Sequence, residues 1–411
     1  MQHYIRYYLF GIHMKLRKDI ILPPRLRSLD EGEERHAEWL ELLYDLVFVA
    51  AISILALNLS ADYSFYGLLK SIPLFFVIWW AWVGHTFFLT RFGTDDLLNR
   101  FLTMLQMIAV AALAVNVENA YSFSGSSFAV SYAFLRIILV LEYYMAGKHI
   151  KEAKPLTNHY FKGFGLAALL WFISAFVPIP FRFILWGIAI VIDIITPITA
   201  SEEQFKLPPH STHLPERFGL FTIILIGEAV VSIVFTINTV GFMFLAEITG
   251  IFGLIIAFCI WWSYFEEAQG AEAKVIESGN KVSKYQLWLY SHFPLLLGVV
   301  TVAIGIKHII YLDLEEFLPS YEVWLLCFSL ALTFLSLNLI HLSSFSLEEC
   351  KNRVLIIFRM PYYIIMVLVL LTGFLGQIIP GWAFLGILTV LCLIKVILSL
   401  REVPDDLVCE L

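Results

Sequence analysis

The chain has 411 residues, of which 60% are apolar and only 15% charged, where a soluble protein carries about 25% charged residues. That composition excludes an ordinary soluble globule. The net charge of -7 lies almost wholly in loops and tails and leaves no basic face, so nucleic acid is excluded as a partner. Five cysteines, with Cys259, Cys327 and Cys392 inside apolar runs, offer neither a disulfide framework nor a zinc spacing.

Residues 1–37 mix charged and apolar positions without the apolar core and small-residue cleavage site of a secretory signal, so they read as a cytoplasmic tail. Part of that tail could lie on the membrane surface. Apolar runs then recur at 39–60, 66–89, 101–119, 127–147, 160–178, 182–199, 217–237, 242–265, 285–307, 321–342, 354–375 and 381–400. Each has about the 20 residues a helix needs to cross roughly 30 Å of hydrocarbon, which predicts an all-α polytopic protein of twelve transmembrane helices. Of 27 Lys and Arg residues, 21 fall in the tails and the loops on their side, and only Arg182 and Lys307 fall in the opposite loops. The positive-inside rule then puts both termini in the cytoplasm and the protein in the cell (inner) membrane. Lys70, Arg359 and Lys395 stand near run ends and read as snorkelling. The outer loops are short, so the activity is expected within the bilayer or at its inner face.

Four matches in chain order suggest a duplicated six-span unit. Leu43-Tyr44-Asp45 of the first run lies over Ile226-Gly227-Glu228 of the seventh, each preceded by a Glu-Arg pair, Glu34-Arg35 and Glu216-Arg217. Trp79-Trp80 lies over Trp261-Trp262, Gln106 over His292, and Trp186-Gly187 over Leu385-Gly386. Offsets of 182 to 186 hold for the first three and 199 for the last. The implied organisation is a tail (1–37), a first repeat (38–200), a cytoplasmic linker (201–216), a second repeat (217–400) and a C-terminal tail (401–411). Six spans per copy makes the copies parallel, about an axis normal to the membrane.

Ionisable groups at membrane depth are costly, by about 2.5–3.5 kcal/mol on insertion scales, and therefore mark candidate functional residues. Counting helical rise places Asp45 about 9 Å and Glu228 about 15 Å from the cytoplasmic boundary, with Gln106 and His292 roughly 9–10 Å deep. Arg136, Glu142 and Asp193 complete a set of seven that could share one inner half-membrane layer. Two readings are open: the acids line a hydrated path as cation ligands or proton acceptors, or they pair with Arg136 and hold helices together. His292 could relay protons or simply bond two helices. His210 and His213 stand three apart without a third ligand, so no metal is assigned. No phosphate loop, His-Glu-x-x-His, Gly-x-Ser-x-Gly or dinucleotide pattern is present, so no cofactor and no enzyme activity are expected.

Several blocks carry a resemblance. Glu34-Arg35-His36-Ala37-Glu38-Trp39 leading into Leu43-Tyr44-Asp45-Leu46-Val47-Phe48, the loop Arg91-Phe92-Gly93-Thr94-Asp95-Asp96, the run His213-Leu214-Pro215-Glu216-Arg217-Phe218-Gly219, and Tyr290-Ser291-His292-Phe293-Pro294 together resemble the bacterial low temperature requirement A family. The resemblance spans nearly the whole chain from residue 34 and implies a multi-pass membrane protein linked to growth in the cold. A more distant likeness joins Leu43-Tyr44-Asp45 and Ile226-Gly227-Glu228 to the six-span-repeat potassium channels, which open each repeat with an Arg and a Phe-Ser-Asp run. Here Tyr44 and Gly227 replace the Ser, and Ala50 and Ile233 stand where a pore would narrow.

The leading expectation is a protein that moves a cation, proton or small solute along a path between the repeats, with Asp45 and Glu228 as its principal polar groups and Arg136 as counter-charge. The lipid bilayer is the certain partner, and a homo-oligomer is compatible with such a fold. The alternatives are a membrane-embedded lipid-modifying enzyme using Glu41, Asp95, Asp96, His210, His213 and Glu216 at the inner interface, and a non-catalytic scaffold or sensor.

Overall fold

The computed structural model describes residues 22–27, 37–210, 212–241, 244–267, 281–312, 316–344 and 352–400. Among them the chain is all helical: α1 (Trp39–Ala61), α2 (Phe65–Phe92), α3 (Leu97–Val117), α4 (Gly125–His149), α5 (Lys154–Ser174), α6 (Phe181–Thr199), the short α7 (Ser201–Lys206), α8 (His213–Val240), α9 (Phe244–Trp262), α10 (Lys281–Tyr311), α11 (Ser320–Ser344), α12 (Asn352–Thr372) and α13 (Gly381–Ser399). An isolated bridge between Phe317 and Pro380 is the one β contact among the described residues. Glu34 and Arg35 lie outside the described residues.

A helix stands at every expected run, and ten of them are long and apolar enough to cross a membrane. The protein is a multi-pass helical membrane protein. Of the others, α5 falls short because its first half carries Lys154, His159 and Lys162, and α12 shows the apolar run Tyr362–Thr372 among the described residues. Local chemistry sets the starts. Ser64 accepts from the Gly67 N–H (3.1 Å) to open α2, and Asp96 accepts from the Leu98 N–H (3.2 Å) to open α3. Glu41 accepts from the backbone N–H of Glu38 (3.1 Å), closing the first turn of α1.

Three helices define the middle of the molecule. The contacts Asp45–Arg217 and Phe218–His292 lie in the earlier parts of α1, α8 and α10, whereas Ser60, Ser232 and Lys307 meet near their ends, so the three run in the same direction. Around them each half shows the same neighbours. In the first, α1 packs on α2 and α3, followed by α3 on α4, α4 on α5 and α5 on α6; in the second, α8 packs on α9 and α10, followed by α10 on α11, α11 on α12 and α12 on α13. The halves differ in how the second helix of each packs: α2 leans on α4, whereas α9 leans on α13 and α10, and α10 also meets α13.

Close approach of α10 and α11 depends on Gly298. A Cβ there would stand 2.4 Å from Thr333 Oγ1 and 3.1 Å from the Ser329 carbonyl oxygen, a backbone atom that cannot turn aside. Small residues at such crossings let backbones meet where no water drives the association. Gly298→Val is therefore expected to destabilise the fold by about 1–3 kcal/mol through overpacking. Thermal unfolding of the purified protein in detergent checks this, and an unchanged melting temperature contradicts the packing.

Candidate functional site

The polar groups at membrane depth gather into separate clusters rather than one layer. The innermost joins α1, α2 and α8. Glu41 and Asp45 stand four residues apart, on one face of α1, and both point at Arg217 near the start of α8. Arg217 donates to Asp45 Oδ1 at 2.5 Å and lies 3.0 Å from Glu41 Oε2. Trp82 Nε1–H of α2 donates to the same Asp45 oxygen at 2.6 Å, and His213 Nε2 is 3.0 Å from Glu41 Oε2. All five side chains are buried, and Asp45, Trp82, His213 and Arg217 have no exposed surface. Asp45 Oδ2 has no donor.

Aromatic rings wrap this network. Trp82 stacks on Phe221 at 4.2 Å between centroids and meets Phe218 edge-on at 4.8 Å. Phe218 in turn touches Trp288 at 4.7 Å and His292 at 4.8 Å. His292 is held by the Trp288 carbonyl (2.8 Å) and the Tyr264 hydroxyl (3.0 Å), the latter in a π-helical turn, Ser263–Glu267, that continues α9. His213, Arg217 and Phe218 of the His213–Gly219 block thus have partners, and Gly219 lies under the Phe265 ring, 3.3 Å from where its Cβ would stand.

A second cluster adjoins through Tyr44, next to Asp45. Its hydroxyl donates to Gln106 Oε1 (2.7 Å), the Gln106 amide donates to Glu142 Oε2 (3.1 Å), and His85 Nδ1 lies 3.3 Å from that oxygen. These four buried side chains tie α1, α2, α3 and α4 together. In a third, Arg136 of α4 pairs with Asp193 of α6, the Tyr132 hydroxyl donates to Asp193 (3.4 Å), and the guanidinium lies over Phe164.

Glu228 belongs to none of these. It is half-buried, makes no hydrogen bond or ion pair among the described residues, and lines a cleft of about 110 Å³ between α1, α8 and α10 together with Ser53, Ser60, Ser232 and Lys307. It is the sixteenth residue of α8, whereas Asp45 is the seventh of α1. Eleven residues separate it from Arg217, about 16 Å along the helix.

Several expectations need correction on this geometry. The seven residues do not share one layer, because α8 begins at His213, a turn before the expected start at 217, and Glu228 is carried further along it. Measured from helix starts, Gly219 and not Glu228 is level with Asp45. The counter-charge of Asp45 is Arg217; Arg136 is spent on Asp193. Lys395 does not snorkel: it is wholly buried, donating to Ser263 Oγ (2.5 Å) beneath the Tyr362 ring. Lys70 is exposed, against the Tyr66 ring.

The loop Arg91–Asp96 is structural. Arg91 donates to the Leu207 carbonyl (3.0 Å), and Asp96 caps α3 while accepting from Thr94 Oγ1 (2.8 Å) and the Leu22 N–H (3.3 Å). Arg100 donates to both oxygens of Asp95, which holds this half-exposed carboxyl below its usual range. Of the interfacial set, Glu41 and His213 meet, whereas Asp95 and Asp96 are engaged elsewhere, His210 Nδ1 bonds locally to Thr212 (3.2 Å), and Pro215 and Glu216 sit in the first turn of α8. Among the described residues no three His, Cys, Asp or Glu side chains gather to hold a metal.

Trp82 and His85 are the residues sequence reasoning missed. His85 lies three positions after Trp82, within an apolar helix, and was as legible a membrane-depth imidazole as His292.

Residues 36–398 match the family model of the bacterial low temperature requirement A protein, and the chain belongs to that family. It is 24% identical over 290 residues to an uncharacterized protein of Rhizobium meliloti (strain 1021), covering 67% of this chain and 70% of that one. No solved structure matches.

Removing one partner of a buried ion pair leaves the other charge stranded, at a cost of about 3–5 kcal/mol, while replacing the pair together costs far less. Arg217→Met is expected to destabilise by about that amount. Glu41→Gln, Asp45→Leu and Arg217→Met combined should recover most of it. Unfolding in detergent, followed by tryptophan fluorescence, reads the difference; additive losses would mean that the three groups do not act as a unit.

Proposed function

We propose that this low temperature requirement A protein is a twelve-span membrane protein of two parallel six-helix halves, with both termini in the cytoplasm of a cell with an inner membrane. It carries a cation, proton or small solute along α1, α8 and α10. The matching order of neighbours in the two halves supports the duplication, and the excess of Lys and Arg on the side of the termini supports the orientation.

One observation carries the transport reading. Glu228 is an unpartnered carboxylate beside three serine hydroxyls in a cleft between three helices of the same direction, and the Arg217 network with its aromatic collar lies nearer their starts. An ionisable side chain with no protein partner at such depth has a use for water or an ion. A cleft that holds a carboxylate, on one side of a packed charge network, suits one state of an alternating-access protein or a closed channel. In this reading Glu228 and the serines receive the cargo, and Asp45 and Arg217 form the inner barrier. The scattered interfacial acids and histidines support no catalytic step.

Proteoliposome flux of sodium, potassium and protons, measured with cation- and pH-sensitive dyes, tests the assignment. Glu228→Gln is expected to slow transport of the cargo about tenfold, some 1.4 kcal/mol on the barrier, without moving the melting temperature. Unchanged flux in Glu228→Gln, or no flux of any cation by the intact protein, would remove Glu228 from the path.

A further inference from the structure

A second cavity, unrelated to the cleft at Glu228, lies at the flank of the first half. It has about 400 Å³ and is walled almost entirely by carbon, with Phe76 of α2, Trp171 of α5, Trp186 and Ile190 of α6, and Phe293 of α10 around it. The α6 wall is a stripe at helical spacing, Phe183, Gly187, Ile190 and Ile194; Gly187 is exposed and the other three half-buried, so the crevice opens on the outside of the bundle. A void of this size lined by apolar atoms cannot hold ordered water, which needs two to four polar partners. Left empty, its walls would forfeit their dispersion contacts. In a bilayer the filler at hand is hydrocarbon, and the stripe from Phe183 to Ile194 runs about 16 Å, the length of a substantial part of an acyl chain.

One end of the crevice carries a charge. Lys70 stands one turn from the wall residues Pro73 and Leu74 and two from Val77, hence on the same face of α2. The hydroxyl of Tyr121, a wall residue, donates to the Lys70 carbonyl at 2.7 Å and fixes that end of the helix against the α3–α4 loop. The Lys70 ammonium is exposed and lies 3.9 Å from the centre of the Tyr66 ring, with no carboxylate partner among the described residues. A cation on an aromatic ring, one helical turn above a chain-shaped apolar slot, matches a phosphate above its own acyl chain.

We propose that the crevice between α2, α6 and α10 is a lipid site, taking one acyl chain of an anionic phospholipid whose phosphate lies against Lys70. The site is independent of the transport path: it touches neither Glu228 nor the Arg217 network.

Native mass spectrometry of the full chain in detergent, titrated with phosphatidylglycerol or phosphatidylcholine of identical chains, tests it. The intact protein should retain one phosphatidylglycerol at several-fold higher occupancy than phosphatidylcholine. Gly187→Trp fills the slot; a Cβ at Gly187 meets no atom within 4 Å, so the change is sterically open. It should lower occupancy by both lipids about tenfold. Ile188→Trp, an equal bulk one position away on the exposed face, should leave both unchanged. Lys70→Gln should erase the preference for phosphatidylglycerol while keeping the chain. Equal occupancy by the two lipids in the intact protein, or full retention in Gly187→Trp, overturns the proposal. Should Gly187→Trp fail to fold, the Lys70→Gln comparison alone decides: an undiminished preference in that variant overturns it.

Discussion

The middle of this protein is organised by one arginine shared between two carboxylates. Arg217 stands where Glu41 and Asp45 converge from α1, so a single guanidinium joins the opening turns of the two halves of the chain. A guanidinium suits this place because its fixed fork can meet two acceptors at once and because it stays charged at any working pH. The surrounding atoms remove the alternatives: Trp82 holds the Asp45 oxygen, His213 and the Glu38 N–H share the Glu41 oxygen, and Phe218 and Phe221 exclude water from the Trp82 side. Desolvation makes such a cluster expensive to assemble, so its worth is better sought in which helices meet, and in what register, than in net stability.

Beyond that network the three central helices line the cleft that holds Glu228. Among the residues that line the cleft, α1 offers Ser53, Ala56 and Ser60 and α8 offers Ala229 and Ser232, short side chains set between Ile52, Leu57, Leu225 and Ile304. Short side chains cannot fill the space that Tyr44, Phe48, Trp82 and Phe221 fill nearer the starts, and the cleft holding Glu228 is the result. At the far end α1 and α10 are joined, His308 lying 2.9 Å from the Ser60 carbonyl and Tyr63 donating to the Thr301 carbonyl.

How much of this the sequence disclosed follows from the range of the forces involved. Helix positions were legible because burial in hydrocarbon demands runs of a fixed length, and every expected run holds a helix. Asp45, Gln106, Glu142 and Asp193 stood out because a polar group in such a run is rarely idle, and all four are buried in networks. Partner choice was not legible. Arg217 looked like a charge at a helix boundary, because α8 reaches back to His213 and carries the guanidinium inside with it. The lining up of Asp45 with Glu228 followed from matching two short patterns, whereas nothing in a pattern of apolar residues fixes the depth of one helix against another; side-chain contacts such as Asp45–Arg217 do. Lys395 misled for the opposite reason: nearness to a helix end permits escape to water only if no neighbour covers it, and Tyr362 does.

In the proposed transport reading, the same chemistry limits what an opening of the barrier can be. Drawing α8 away from α1 would part Arg217 from both acids, leaving the guanidinium and the carboxylates without their counter-charge in a region from which aromatic rings keep water. Such a state can be populated only if something replaces those partners: water entering behind the moving helix, a cation on the carboxylates, or protons neutralising them. Each replacement comes from the solution on one side or the other. A barrier built of apolar side chains could open by thermal motion alone, but one built on a buried charge cluster ties its opening to what the solution supplies. The unsatisfied Oδ2 of Asp45 is an atom at which such a replacement can begin, since among the described residues no donor holds it.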